Sequence, residues 1–296
     1  MEEHITRVVA NDTKRRPRGP VTRIVRAPNL QPYGGFIPPK EMEREILSND
    51  LLYMDFVDRG CKNGGLQPQA LGLVFDYILR TELAIFSGVG LADAIINAFK
   101  VSCLGAKLAH KEKKALALVS KLASLYEKKK KNYKKIFQVA SELVVFDAVY
   151  RAGYYNPDAE KPKVNDSDEF ALSLMLNATE DYLLEKQKLI SLGFEFTARG
   201  AENVTPSDGD ILTTESLIDI KCSINKPTSK HTLQLLLYYI LGLHEYPEVF
   251  KSLKYIKILN PRLGIIYSYE LGKVDIETLK RIEGEIMGYK DTVFKG

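Results

Sequence analysis

The sequence predicts an α/β protein in which helices flank a mixed central β-sheet, preceded by an N-terminal helical region. Two patterns lead to this fold class. Residues 41–153 carry mostly helical periodicity, with short breaks. Residues 169–296 alternate helical apolar stripes with short β-rich segments, in the order helix, strand, hairpin, helix, hairpin, helix. The composition, 45% hydrophobic and 27% charged, is ordinary for a globular chain.

Charge and cysteine content narrow the classes of function. The net charge of +4 is compatible with a nucleic-acid partner. No apolar run approaches the roughly 20 residues that cross a bilayer, and no secretory signal opens the chain, so we expect no membrane partner. Cys61, Cys103 and Cys222 are too far apart for a disulfide framework or a metal knuckle, which favours a reducing cytoplasm.

The N-terminal 153 residues are predicted to form an arm and a helical region. Residues 1–40 are rich in proline and basic residues and predict an extended arm, either a contact for phosphates or a solvated tail. The helices are expected at residues 41–56, 69–86, 91–109, 112–126 and 136–152. The six lysines of residues 128–135 fit a nucleic-acid contact or a solvated helix end. Gly88-Val89-Gly90 lacks a preceding strand and a following Gly-Lys pair, so we expect no nucleotide cofactor.

The C-terminal part follows a linker predicted at residues 154–168. A helix is expected at residues 169–192, stopped by Gly193, and a strand at residues 194–198. Glu180 lies among apolar positions of that helix. Two further β-rich runs at residues 254–259 and 264–271 flank an Asn-Pro turn, and a last helix is expected at residues 275–289.

The most informative stretch is the predicted hairpin of residues 208–223. Side chains alternate along a strand, so Asp219 and Lys221 share one face, and a tight turn would bring Asp210 close to Asp219. Two carboxylates converging in a half-buried sheet repel each other unless a cation intervenes. Mg²⁺ prefers carboxylate oxygens. The alternative is a surface hairpin whose charges face solvent.

The next helix, residues 229–244, places Gln234 and Tyr238 four apart on one face. The ordered set Asp210, Asp219-Ile220-Lys221 and Gln234-x-x-x-Tyr238 resembles the PD-(D/E)xK nuclease superfamily, in particular its RecB-like branch. The resemblance covers roughly residues 168–270. The chain lacks the four cysteines with which some relatives hold an iron–sulfur cluster.

The resemblance implies a restriction-endonuclease-like core and assigns roles within it. Asp210, Asp219 and the backbone carbonyl of Ile220 would hold Mg²⁺ or Mn²⁺, and Lys221 would position the attacking water. Gln234 and Tyr238 would support the strand or grip substrate. The family often adds an acidic residue from the first core helix, for which Glu180 is the candidate and Asp181 the rival.

The function expected from these residues is metal-dependent hydrolysis of phosphodiester bonds, in DNA more than in RNA. Defence against phage or mobile elements, recombination and repair are the pathways in which such nucleases act. The chain has no ATPase motif, so any helicase would be a separate partner, and a homo-oligomer stays open. One alternative is a catalytically silent nucleic-acid-binding or assembly module with the same fold. Another is a helical interaction protein in which residues 40–153 are the working part.

Overall fold

The computed structural model describes residues 18–48, 53–153 and 162–294. They form an α/β structure with one six-stranded mixed sheet flanked by helices, as the sequence predicted. The helices are α1 Val21–Ile24, α2 Tyr53–Lys62, α3 Pro68–Phe86, α4 Leu91–Ala98, α5 Lys100–Leu108, α6 Glu112–Tyr126, α7 Tyr133–Val144, α8 Asp147–Ala152, α9 Asp166–Lys186, α10 Ser229–Glu245, α11 Pro247–Phe250 and α12 Ile276–Arg281. The strands are β1 Glu43–Ile46, β2 Leu189–Phe196, β3 Ser207–Thr213, β4 Ser216–Ile220, β5 Tyr255–Asn260 and β6 Ile265–Glu270.

The strand order across the sheet is β1-β6-β5-β4-β3-β2. Strands β4 and β5 run parallel, and the other neighbours are antiparallel. The parallel pair requires a crossover, which α10 and α11 supply between β4 and β5. Both predicted hairpins, β3–β4 and β5–β6, are confirmed.

Two hydrophobic layers cover the two faces of the sheet. The first layer contains α2 to α7 and α9, and it packs on Ile211, Ile218, Leu259 and Ile266. The second layer contains α10, α12 and the N-terminal arm, and it packs on the opposite face. Alternation along each strand explains the division, because Ile218 belongs to the first layer and its neighbour Leu217 to the second.

The N-terminal arm is more ordered than an extended tail over the part that the structure describes. It forms the single turn of α1, and Val21, Ile24 and Ile37 are buried. The Thr232 hydroxyl on α10 donates a hydrogen bond to the carbonyl of Ile37 at 2.8 Å. The arm therefore lies on α10. The predicted linker falls partly outside the described residues, and α9 begins at Asp166 with Asn165 as its cap.

Two predictions of secondary structure were wrong. Residues 43–46 form the edge strand β1, whereas the sequence predicted a helix over residues 41–56; pairing with β6 outweighs the local preference. Residues 189–193 belong to β2, whereas a helix was predicted to continue to Leu192. Gly193 adopts a left-handed φ of 66° inside that strand and does not end a helix.

Some predicted helices begin or end at other residues in the structure, both in the helical region and near the C-terminus. Phe99 divides the segment predicted as one helix over residues 91–109 into α4 and α5. Another break separates α7 from α8. Beyond α12 the chain continues as a π-helical turn, Ile282–Met287. Among the described residues, none of the helices is both long enough and apolar enough to cross a membrane.

Candidate active site

The site lies at the carboxyl end of β4, where α3 from the first layer and α10 from the second layer both contact the hairpin. Ile211 pairs with Ile218 and Leu212 with Leu217, so Asp210 and Asp219 are next in register across the hairpin. The Asp210 Oδ2 accepts a hydrogen bond from the backbone N–H of Ile220 at 2.7 Å. The predicted hairpin therefore brings Asp210 to the carboxyl end of β4, next to Asp219.

Asp219 is the most enclosed charged group of the site, with only 3% of its surface exposed. Its Oδ2 lies 2.5 Å from the Lys221 Nζ but receives no hydrogen bond of good geometry. Burial, with a smaller contribution from Asp210, raises the pKa of Asp219 to about 6, and Lys221 opposes the rise. An ionised Asp219 at neutral pH therefore depends on nearby positive charge.

Lys221 follows Asp219 at the same face of the strand and supplies that charge. Burial opposes its protonated form, but Asp219 and Asp210 outweigh burial, so the pKa of Lys221 is raised. Lys221 is thus an ammonium at neutral pH. Its N–H groups can stabilise negative charge on a bound phosphoryl group.

The helix α10 fixes the other oxygen of Asp219. The Gln234 Nε2 donates hydrogen bonds to the Asp219 Oδ1 and to the Tyr238 hydroxyl, both at 3.1 Å. Gln234 and Tyr238 are both buried. The helical spacing predicted for this pair is present: Gln234 contacts the carboxylate, and Tyr238 accepts the second hydrogen bond of the Gln234 amide. Gln234 thus supports the site through Asp219.

The structure adds two residues that the sequence analysis missed, Asp76 and Arg80 on α3. The Arg80 Nε donates to the Asp76 Oδ1 at 2.9 Å, and its Nη2 donates to the Asp210 Oδ1 at 2.8 Å. Burial, reinforced by Asp210, raises the pKa of Asp76 to about 6, and Arg80 opposes the rise. The sequence signal was the Asp–Arg spacing of four on a helix, which by itself indicates only an ion pair.

Glu180 does not join this group. It lies half-buried on α9 beside Glu82, whose Oε2 is 2.5 Å from the Lys131 Nζ. Burial and Glu82 raise the pKa of Glu180 to about 7, while Lys131 opposes the rise, and neither Asp210 nor Asp219 contributes. The rival, Asp181, is exposed. The acidic residue that a helix brings to the aspartates is Asp76, from a different helix than predicted.

The donor chemistry fits a hard divalent cation, although no three-ligand site stands ready. Within the described ranges, no three His, Cys, Asp or Glu side chains are grouped closely enough to hold a metal ion. The Oδ2 of Asp219 nevertheless faces only the Lys221 ammonium, at 2.5 Å and without a hydrogen bond of good geometry, and Asp210 lies beside it. Carboxylate oxygens are the ligands that Mg²⁺ and Mn²⁺ take. The two aspartates could therefore bind such an ion.

One histidine lies near the same corner of the molecule. The His231 Nδ1 accepts a hydrogen bond from the Thr228 backbone N–H at 3.1 Å, as part of the cap of α10. Burial and the nearby charges of Lys221 and Lys230 lower the pKa of His231 to about 4, so the ring is neutral at pH 7. The first turn of α10 thus lies close enough to Lys221 for the lysine charge to influence the pKa of His231.

Comparison of the chain with family models, with curated proteins and with solved structures gives no match. The assignment of the site therefore rests on its residues and their geometry.

Proposed function

We propose that the protein is a metal-dependent nuclease that hydrolyses phosphodiester bonds, with DNA the expected substrate, and that its sheet is a restriction-endonuclease-like core. The observation that carries the proposal is the junction of Asp210, Asp219 and Lys221 at the end of one hairpin. The chain order α9-β2-β3-β4-α10-β5, with β5 parallel to β4, supports the fold. Rigid strands are suited to holding reacting groups in fixed geometry.

Each residue has a role that follows from its surroundings. Asp210 and Asp219, with the Ile220 carbonyl, would hold Mg²⁺ or Mn²⁺. Such an ion supplies Lewis acidity and lowers the pKa of bound water. The Lys221 ammonium orients the attacking water or stabilises the negative charge that develops on the phosphoryl oxygens. Gln234 keeps Asp219 aimed at the site through its hydrogen bond to Oδ1.

The test is cleavage of linear and circular DNA, single- and double-stranded, in Mg²⁺, Mn²⁺ or EDTA. Wild type is compared with Lys221→Met, Asp219→Asn and the control Lys251→Met, an exposed lysine after α11. Removing one group that stabilises the transition state costs roughly 100-fold or more in rate. We expect metal-dependent cutting by wild type and Lys251→Met, lost in the other two variants.

Two other results would contradict this proposal. Equal cutting by wild type and Lys221→Met would mean that the reaction occurs elsewhere. Tight binding of DNA without cutting in any metal would favour the second candidate, a nucleic-acid-binding module with an inactive core. The circular substrates separate endonuclease from exonuclease activity, and RNA of the same sequence tests the preference for DNA.

A further inference from the structure

Arg80 contacts the site from α3, outside the hairpin and α10 that carry the other site residues, and the proposed nuclease mechanism gives it no role. Its guanidinium connects Asp76 on its own helix with Asp210 on β3, at 2.9 and 2.8 Å, and only 13% of its side chain is exposed. An ion pair along α3 would need only Asp76. The second contact spans 130 positions of sequence and ends on a carboxylate proposed to hold a metal ion.

The sheet provides room for this guanidinium. Gly193 lies between the pairs Leu192–Ile211 and Phe194–Gly209 of β2 and β3, hence beside Asp210. A Cβ placed on Gly193 would lie 2.6 Å from the Arg80 Nη1. Gly193 also has a left-handed φ of 66°, which favours glycine. The backbone of β2 is therefore shaped to let Arg80 reach Asp210.

The charges of the site do not balance. Three carboxylates, Asp76, Asp210 and Asp219, face two cationic side chains, Arg80 and Lys221. One negative charge is left over when no metal is present. With a divalent cation the site carries one positive charge, which equals in size the single negative charge of a phosphodiester. Arg80 is the cation that such an ion would have to displace from Asp210.

We infer that Arg80 holds the place of the divalent cation on Asp210 and, in the metal-loaded protein, becomes a contact for the substrate phosphate while Asp76 keeps it at the site. This inference rests on the proposed nuclease function. It makes the helical region part of the site, since α3 supplies both Asp76 and Arg80. A side chain that competes with a metal ion for one carboxylate lowers the affinity for that ion, and free-energy couplings in proteins typically change affinities by roughly 5- to 150-fold.

The first experiment measures binding of Mn²⁺ by calorimetry and the rise of Tm with Mg²⁺ for wild type, Arg80→Met and Arg80→Lys. Arg80→Met removes the competing charge but keeps most of the side chain, and Arg80→Lys keeps the charge. We expect Arg80→Met to bind Mn²⁺ at least fivefold more tightly and to show the larger rise of Tm. Arg80→Lys should remain close to wild type.

The second experiment measures binding of a fluorescent oligonucleotide in Ca²⁺, which substitutes for the catalytic ion without rapid cutting. Arg80→Met should weaken this binding at least tenfold, although its affinity for the metal ion is higher. A residue with only a structural role would lower Tm equally with and without Mg²⁺ and would leave both affinities unchanged, and that result would overturn the inference.

The outcome also separates this inference from the proposal on which it rests. If wild type binds Mn²⁺ and cuts DNA but Arg80→Met binds Mn²⁺ no more tightly, only the role of Arg80 is wrong. If wild type neither binds metal nor cuts, both fail. Should Arg80→Met not fold, wild type labelled with ¹⁵N-arginine is titrated with Mg²⁺. The Nε signal of Arg80, identified by its absence in Arg80→Lys, should shift; an unchanged signal overturns the inference.

Discussion

Asp219 shows how a buried carboxylate is kept in place by unequal partners. Gln234 holds Oδ1 with a neutral hydrogen bond, and Lys221 faces Oδ2 with a charge. A buried acceptor that loses its donor costs about 1–3 kcal/mol, more when the acceptor is charged. The hydrogen bond from Gln234 therefore contributes to stability and to the orientation of the carboxylate.

Replacing Gln234 with Leu should lower the free energy of unfolding by about 2 kcal/mol, because the Asp219 Oδ1 is left without a donor. If Asp219 holds the metal ion as proposed, cleavage should fall roughly 10- to 100-fold, which is typical when a residue that orients a metal ligand is lost. Urea unfolding and initial rates measure the two effects. Tyr238→Phe is the matched control: it removes only the hydroxyl that accepts from Gln234 and should have the smaller effect on both. Equal effects would mean that Gln234 acts mainly through packing.

Glu180 gives a prediction about pH. Burial raises its pKa in the folded protein from the usual 4.5 to about 7. Because the folded state then binds the proton more tightly than the unfolded state, this group favours folding below about pH 4.5, and the contribution is lost as the pH rises through about 7. Glutamine does not titrate and avoids that loss.

Glu180→Gln should therefore be more stable than wild type at pH 8, by about 1–2 kcal/mol after allowance for solvent screening, and close to wild type at pH 5. Urea unfolding at the two pH values measures the difference. Glu185→Gln, at an exposed position of the same helix, is the control and should show no such dependence. Cleavage by Glu180→Gln should match wild type, since Glu180 lies apart from Asp210 and Asp219; a loss of cleavage would restore Glu180 to the site.

At the scale of elements, strand β2 contributes side chains to both layers because its backbone is irregular at Gly193. Leu192 belongs to the first layer and Phe194 to the second, although residues two apart on a regular strand share a face. Gly193 produces this change with its left-handed backbone. The same residue leaves space for Arg80. One glycine thus sets both the packing of β2 and the access of α3 to Asp210.

Gly193→Ala tests this at the level of the strand. A non-glycine residue at a left-handed φ costs roughly 1–2 kcal/mol, and here the added methyl group also meets the guanidinium. The control is Gly153→Ala, which has a φ of 67° and nothing within 4 Å of the added Cβ. We expect Gly193→Ala to lower the free energy of unfolding by at least about 1 kcal/mol more than Gly153→Ala. Equal losses in urea unfolding would show that Arg80 moves aside freely.

At the scale of the whole molecule, the helical region and the sheet share one hydrophobic core. Buried residues of α2 to α7 and α9 form a single cluster with Ile211, Ile218, Leu259 and Ile266 of the sheet. The sequence suggested a helical region at residues 41–153 and a separate nuclease core at residues 169–296. Because the first layer covers one whole face of the sheet, we expect neither part to fold alone.

The helical region and the sheet should therefore unfold together in one transition. Far-UV circular dichroism, which follows the helices, and tyrosine fluorescence should give the same midpoint in urea. Ile218→Ala, at a fully buried position of β4, should move both midpoints together and cost about 3 kcal/mol. A far-UV transition that stays in place while the fluorescence transition moves would mean that the helical region is an independent unit.

The sequence by itself determined the hairpin, the helix after it and the residues that they carry. Asp210, Asp219, Lys221, Gln234 and Tyr238 could be predicted to converge because they are near one another in the chain, and local periodicity fixes their faces. For the same reason the long helices α3, α6 and α10 were predicted almost to the residue.

Only the tertiary structure decided which distant groups join them. Arg80 reaches Asp210 across 130 positions, and β1 pairs with β6 although it lies more than 200 positions earlier. Neither contact leaves a local pattern, because a strand edge or a carboxylate accepts a partner from any part of the chain. The placement of Glu180 was open for the same reason: it lies in the first layer beside Glu82 and Lys131, and spacing along the chain could not specify which helix would face the aspartates.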